Sequence, residues 1–179
     1  MKTFLKLVMS AIIALSLTAC ATRAPMPTVE SIDLKKFMGD WYVIGNIPTF
    51  IERQAYNAVE HYELDSDGNI PTTFTFNKGG FDGPLKTYHP KGFVKDKTDN
   101  SLWGMQFIWP IKADYRIVYL SDDYQQVIVA RKARDYVWIM ARTPKISDTD
   151  YQALVQKTED LGYDPTLIRK VPQQDLIDR

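Results

Sequence analysis

The side chains that most often catalyse reactions are sparse in this sequence and lie in no known catalytic spacing. There are two histidines, His61 and His89, and neither belongs to an H-E-x-x-H or similar metal-ligand pattern. No G-x-S-x-G motif supplies a serine nucleophile, and the acidic pair Asp122-Asp123 is typical of a turn. We therefore expect no enzyme activity, no metal site and no cofactor.

One cysteine, Cys20, follows a hydrophobic N-terminal segment. Residues 1–19 have a positively charged start, an apolar run from Leu7 to Leu17 and small residues before the cysteine, which is the pattern of a signal peptide. The run is shorter than the roughly 20 residues of a membrane-spanning helix. Leu17-Thr18-Ala19-Cys20 resembles the bacterial lipobox, in which the cysteine is acylated and becomes the mature N-terminus. We expect a palmitate-type lipid anchor on Cys20.

The residues after Cys20 indicate where such an anchor would act. Ala21, rather than an aspartate, follows the cysteine, which by resemblance to known lipoproteins favours the outer membrane, with the protein on its periplasmic face. Residues 20–32, with Pro25 and Pro27, are interpreted as the lipidated cysteine and an extended tether. Residues 33–179 then form the folded domain.

Composition limits the size and the partners of that domain. The chain has 179 residues, 45% of them hydrophobic, which suffices for one core and is short for two. Lys+Arg and Asp+Glu both total 22, so no basic excess points to nucleic acid. Aromatic residues make up 12% of the chain and favour strands.

Short aromatic and β-branched runs separated by turn residues predict eight antiparallel strands. Closing them into an up-and-down barrel would remove the unpaired edges. After Pro144 the spacing becomes helical, with Ser147 as the cap and Gly162 as the end. The fold class is therefore all-β, an eight-stranded antiparallel up-and-down β-barrel with a C-terminal α-helix packed on the outside. The predicted strands are Trp41–Ile47, Tyr56–Asp65, Ile70–Asn77, Leu85–Val94, Leu102–Trp109, Tyr115–Leu120, Tyr124–Arg131 and Tyr136–Thr143.

Three separated motifs resemble the lipocalin family. Gly39-Asp40-Trp41 matches its G-x-W signature, Leu120–Tyr124 is similar to its conserved turn, and Trp138 with Arg142 matches its last strand. Residues 134–144 look like the bacterial outer-membrane lipoprotein and apolipoprotein D-like branch. The resemblance implies a structural closed end at which the arginine packs over the tryptophan. Its residues would be Gly39, Trp41, Tyr124 and Arg142.

The same resemblance implies binding of a fatty acid or a lysophospholipid, for lipid storage or transport and envelope maintenance under stress. An eight-stranded barrel can hold one small ligand, and alternation along the strands selects the side chains facing it. Four basic residues of the open end, Lys112, Arg131, Lys132 and Arg134, could meet a phosphate or carboxylate. The expected ligand-binding residues are Val43, Ile47, Phe74, Phe76, Trp103, Met105, Phe107, Tyr115, Ile117, Tyr119, Tyr136 and Trp138.

Two other functions stay open at this point. A barrel plugged by its own side chains would make the chain a structural or interaction lipoprotein. Alternatively, the chain could carry another hydrophobic ligand, such as a tetrapyrrole. Apolar loop tips such as Phe50-Ile51 and Trp109-Pro110-Ile111 suggest contact of the mouth with a membrane or an entering acyl chain. A homodimer is compatible with the resemblance, although no interface is identified.

Overall fold

The computed structural model describes residues 24–175, and antiparallel strands dominate this part of the chain. Each barrel strand pairs with its neighbour, and β9 pairs back with β1, so the sheet closes. The strands are β1 (Gly39–Ile47), β2 (Ala55–Tyr62), β3 (Asn69–Lys78), β4 (Leu85–Tyr88), β5 (Lys91–Val94), β6 (Leu102–Ile108), β7 (Ile111–Leu120), β8 (Gln126–Ala130), β9 (Val137–Ala141) and β10 (Arg169–Lys170).

The predicted eight-stranded barrel is confirmed, with one strand divided in two. The predicted strand Leu85–Val94 is interrupted at His89-Pro90, and its halves β4 and β5 both pair with β3. Proline has no backbone N–H to donate to a sheet, which accounts for the break. Together β4 and β5 occupy one strand position of the barrel.

The C-terminal helix α2 (Asp148–Asp160) packs on the outside of the barrel, as predicted. The hydroxyl of Ser147 accepts a hydrogen bond from the backbone N–H of Asp150 at 3.0 Å and caps the helix. Leu154 belongs to the same buried cluster as Ile128 and Ile139, which are outward-facing residues of β8 and β9. A shorter helix, α1 (Leu34–Phe37), precedes β1 and is capped by Asp33.

The segment before α1 lies against the barrel and is not a free tether. Met26 is 5% exposed and packs among the residues beneath α2. The N–H of Val29 donates to the carbonyl of Ile117 at 3.0 Å, and the N–H of Ile32 donates to Asp99 at 2.8 Å. The tether expectation is therefore wrong for residues 24–32, because Met26 supplies an apolar anchor that the proline-rich context obscured.

The tail after α2, for which the sequence predicts no structure, contributes β10. Arg169 and Lys170 pair with Asn46 and Gly45 of β1. Beyond it, the Gln173 side-chain amide donates to the carbonyls of Val43 and Ala58, each at 2.9 Å. The tail thus joins β1 to β2 where these strands separate towards the open end of the barrel.

Candidate functional site: a cavity at the open end of the barrel

An apolar cavity of about 330 Å³ occupies the half of the barrel nearest the loop between β1 and β2. This volume falls at the lower end of the range found for small-molecule sites. A cavity in this position counts against the plugged-barrel alternative. Its lining residues are Thr49, Phe50, Ile51, Glu52, Glu60, Phe74, Tyr88, Pro90, Met105, Phe107, Ile108, Ala113, Asp114, Tyr115, Arg131 and Trp138.

Large apolar side chains are exposed around the mouth of this cavity. Phe50 is 80% exposed in the loop after β1, and Ile108, Trp109 and Ile111 are 71%, 83% and 66% exposed in the turn between β6 and β7. These two loops lie at the same end because the strands run up and down. A group of exposed apolar side chains at one end of a barrel is typical of membrane or ligand contact.

The cavity floor is polar, since a carboxyl group and two phenols meet there. Glu60 accepts a hydrogen bond from the Tyr62 hydroxyl and a second from the Tyr115 hydroxyl at 3.2 Å, and the two phenols also contact each other. Burial raises the pKa of Glu60 from 4.5 to about 7; the Tyr62 hydrogen bond opposes this and the Glu52 charge adds to it. Burial also raises the pKa of both tyrosines, so they stay neutral donors.

A second buried carboxylate, that of Glu52, holds the mouth loop inside the barrel. Its Oε1 accepts from the Trp138 indole N–H at 2.7 Å, and its Oε2 accepts from the Thr49 hydroxyl at 2.5 Å and backbone N–H at 3.0 Å. Each oxygen of Glu52 therefore has a partner. These bonds fix the orientation of Trp138, which lines the cavity wall.

Among the four basic residues expected at the rim, only Arg131 lines the cavity. Its Nη1 lies 3.3 Å from Asp135 Oδ2, and its buried Nε has no hydrogen-bond partner within the described residues. Arg134 is directed elsewhere, since its guanidinium donates to the carbonyls of Leu161 and Ala24.

The other two basic residues lie outside the cavity. The Lys112 ammonium lies 3.3 Å from the ring centre of Phe93, and its side chain lies against the face of Gly104, opposite the inward-facing Trp103. Lys132 is exposed. The rim expectation is therefore wrong for Lys112, because alternation along β7 turns it outward.

The residues expected to bind ligand divide into three groups. Phe74, Met105, Phe107, Tyr115 and Trp138 line the main cavity, and Phe76 lines an adjoining space of about 380 Å³ that shares Tyr88 with it. Val43, Trp103 and Ile117 are buried in the barrel core without reaching the cavity, and Tyr136 packs against that core.

Ile47 and Tyr119 form the third group, and their expected inward orientation is wrong. Both pack in the outer cluster beneath α2. The register of β1 against β9 shifts between Val43 and Gly45, and that of β7 against β8 shifts between Ile117 and Tyr119. Each bulge adds one residue and reverses the alternation beyond it, which carries these side chains to the outside.

The closed end is sealed by an arginine over a tryptophan. The guanidinium carbon of Arg142 lies 3.9 Å from the ring centre of Trp41, which is fully buried. Arg142 also donates to the carbonyls of Lys36, Phe37 and Asp40 at 2.8–2.9 Å. The Tyr124 carbonyl accepts from its Nε at 3.3 Å, and Gly39 adopts a positive φ of 94° beside it.

The sequence did not predict the polar floor of the cavity, which is formed around Glu60. Alternation in β2 places Glu60 on the same face as Ala58 and Tyr62, both buried. A glutamate within a strand ordinarily indicates a solvent-facing position, so the pattern alone gave no reason to turn this face inward. The available signal was Tyr62, a large aromatic residue on the same face as Glu60, which suits an interior position.

Two searches of residues 24–175 gave negative results. No group of three or more His, Cys, Asp or Glu side chains in this range is arranged to hold a metal ion. No helix in the same range is long and apolar enough to cross a membrane.

Comparison with known proteins gives concordant matches. The model of the Lipocalin-like domain matches residues 32–173. Temperature-induced lipocalin-1 of Arabidopsis thaliana is 30% identical over 162 residues, covering 84% of each chain. Outer membrane lipoprotein Blc of Escherichia coli K12 is 28% identical over 165 residues, covering 89% of this chain and 92% of the relative.

Solved structures agree with the fold. Insecticyanin from the tobacco hornworm Manduca sexta superposes with a TM-score of 0.65 at 14% identity, covering 86% of this chain and 92% of that one. A closed eight-stranded barrel with an apolar cavity is the architecture of a protein that binds hydrophobic small molecules. The chain belongs to the lipocalin family, and its relatives include bacterial outer-membrane lipoproteins.

Proposed function

We propose that this lipocalin binds a single-chain amphiphile, a fatty acid or a lysophospholipid, with the hydrocarbon in the cavity and the anionic group near Arg131. The apolar cavity of about 330 Å³ is the observation that carries the proposal. Each methylene removed from water contributes about 0.8 kcal/mol, so a long chain binds with little need for specific contacts.

The unpartnered Nε of Arg131 supports the position of the headgroup. A buried guanidinium N–H without an acceptor costs free energy, and a carboxylate or phosphate oxygen at the mouth would supply one. Asp135 pairs with Nη1 of the guanidinium at 3.3 Å and leaves Nε without an acceptor. The ligand would therefore lie with its tail inward and its charge outward.

The N-terminal segment supports an outer-membrane anchor with the mouth turned to the lipid. The Ala24 carbonyl accepts from Arg134 at 2.8 Å, and Arg134 lies in the turn between β8 and β9, at the open end. Cys20 is four residues earlier, and an extended chain covers at most about 3.6 Å per residue. An acylated Cys20 would thus hold the exposed Phe50 and Trp109 close to the membrane.

In this arrangement the protein would take up or release single-chain lipids at the periplasmic face of the outer membrane. Storage or transport of such lipids, and maintenance of the envelope under stress, follow as the proposed role. The name of the Escherichia coli relative, an outer membrane lipoprotein, supports the location.

A cavity-filling variant tests the ligand site. Ala113→Phe introduces a large ring at a residue lining the cavity, whereas Ala153→Phe makes the same change at an exposed position of α2. Titration calorimetry of the delipidated protein with palmitate and with palmitoyl-lysophosphatidylethanolamine should show binding by the wild type and by Ala153→Phe. At least a tenfold loss is expected for Ala113→Phe, roughly the effect of excluding two methylenes. Equal affinity of the two variants would refute the site.

A further inference from the structure

A polar floor is an unusual end for a cavity built to hold hydrocarbon. Glu60 lies opposite Trp41 on one neighbouring strand and Phe74 on the other, which places it on the closed-end side of the cavity. Its side chain lines the cavity, although the residue is only 7% exposed. The methyl end of a plain acyl chain would have to stop against this carboxyl group.

Only one oxygen of the Glu60 carboxyl group accepts hydrogen bonds from the protein. Its Oε2 accepts from Tyr62 and Tyr115, while no residue among those described donates to its Oε1. Among the described residues, Oε1 is not one of the fully buried side-chain atoms that lack a partner, so the open space of the cavity reaches it. The floor therefore has one free hydrogen-bonding position, and the cavity is the space from which a partner can reach it.

The surroundings of Glu60 favour a neutral partner over a cation. Its hydrogen-bonding neighbours are neutral phenols. Burial, with the Glu52 charge adding to it, raises the pKa of Glu60 to about 7, so a large fraction of the carboxyl group is protonated near neutral pH and can both donate and accept. An ammonium ion would lose its hydration in the apolar wall and would pass Arg131 at the mouth. A hydroxyl costs much less to bury.

We propose that Glu60 is a ligand-binding residue that hydrogen-bonds a hydroxyl at the buried end of the ligand, so that the preferred class is a hydroxylated chain. The inference rests on the proposed function, because it assumes a chain with its charged group at Arg131. It adds a second point of recognition at the opposite end of the cavity, one that a simple fatty acid cannot use.

Matched pairs of ligands test the proposal on the wild-type protein. The affinity of each saturated fatty acid is compared with that of its ω-hydroxy derivative, over a series of increasing chain length. At the length that spans the distance from Arg131 to Glu60, the hydroxy acid should bind about three- to tenfold more tightly, the effect of one buried hydrogen bond. Shorter acids should lose affinity on hydroxylation, because their hydroxyl stays among apolar side chains.

Variants at the floor assign the preference to Glu60. Glu60→Leu should reverse the preference for the hydroxy acid, and Glu60→Gln should keep it because an amide still bonds a hydroxyl. Glu63→Leu makes the same change at an exposed position just after β2 and should leave the preference unaltered. If Glu60→Leu fails to fold, the wild-type series and Glu60→Gln still decide. A hydroxy acid that binds no better at any length overturns the inference while leaving fatty-acid binding intact. Failure of every acid to bind would instead overturn the proposed function as well.

Discussion

Among single residues, Arg142 combines a contact with an aromatic ring and several hydrogen bonds, which a lysine at its position could not reproduce. Its guanidinium covers the indole of Trp41 and donates to carbonyls of α1, of β1 and of the turn after β7. The planar fork of arginine suits several acceptors at once, whereas the lysine ammonium is a compact point charge. The closed end is thus held by one side chain that connects three parts of the chain.

Replacing Arg142 should destabilise the barrel. Arg142→Ala removes four hydrogen bonds at the closed end and uncovers the buried indole of Trp41, so it is expected to lower the free energy of unfolding by about 2–4 kcal/mol. Arg142→Lys should lose less, since the charge over Trp41 persists. Urea denaturation measures both, with Lys145→Ala as a control on an exposed ion pair. An Arg142→Ala variant as stable as the control would contradict the structural role.

Glu60 makes stability depend on pH. Its pKa is raised from 4.5 in the unfolded chain to about 7 by burial, with Glu52 adding to the shift and the Tyr62 and Tyr115 hydroxyls opposing it. The folded state then binds more protons between these values, so its stability is full below pH 4.5 and is lost as the pH rises through 7.

Glu60→Gln should remove this dependence. The wild type is expected to lose on the order of 3 kcal/mol of unfolding free energy between about pH 5 and pH 8, and the glutamine variant should show a much flatter profile. Denaturation in buffers across this range is the measurement. Parallel profiles for the two proteins would mean that Glu60 titrates normally.

Residue types alone predicted the closed end held by Arg142, but they did not predict the buried Glu60. The G-x-W motif with Arg142 in the last strand indicated the closed end, because an aromatic ring and a cation at those positions have a shared structural use. Glu60 gave no such signal, since its ionisation depends on how deeply β2 buries it. Burial is a property of the assembled barrel and not of the local sequence.

At the scale of elements, the N-terminal segment is the part whose behaviour departs most from its composition. Residues 24–32 contain two prolines and no regular apolar pattern, yet Met26 is buried and two backbone N–H groups bond to the barrel. The bulges in β1 and β7 are likewise features that the local sequence does not reveal. Their positions depend on pairing across strands, so strict alternation predicted the wrong face for Ile47 and Tyr119.

Met26→Ala should release this segment without unfolding the barrel. Loss of the buried thioether weakens its docking by about 2 kcal/mol, which is enough to open a segment held by few contacts. Hydrogen exchange of the Val29 and Ile32 amides should accelerate, while the amides of β8 stay protected. Glu30→Ala, an exposed change in the same segment, serves as the control. Unchanged exchange at Val29 would show that Met26 does not anchor the segment.

At the scale of the whole molecule, the cavity mouth, the exposed apolar loops and the start of the described chain share one end of the barrel. Strand connectivity produces this arrangement, because the loops after β1, β6 and β8 all lie at the end opposite the Arg142 seal. The sequence predicted this polarity correctly from the strand count. The path of residues 24–32 back towards the mouth was visible only in the folded structure.

The mouth should insert into lipid through Trp109. A Cys20→Ser protein, which lacks any acyl anchor, is mixed with vesicles of phosphatidylethanolamine and phosphatidylglycerol while tryptophan emission is recorded. A blue shift is expected, since Trp109 is 83% exposed and the other tryptophans are buried. Trp109→Ser should abolish the shift, whereas Leu64→Ser, at the closed end, should preserve it. Trp109 emission of the Cys20→Ser protein that is unaffected by vesicles would contradict membrane contact.

The position of a heavy atom on a bound fatty acid would show whether its hydrocarbon chain lies inside the barrel. A crystal structure of the protein with a terminally brominated fatty acid would locate the bromine by anomalous scattering. We predict a bromine peak within the cavity bounded by Phe74, Met105 and Trp138. A peak found solely against the exposed Ile108 and Trp109, with the cavity empty, would place the chain outside the barrel and refute the proposed site.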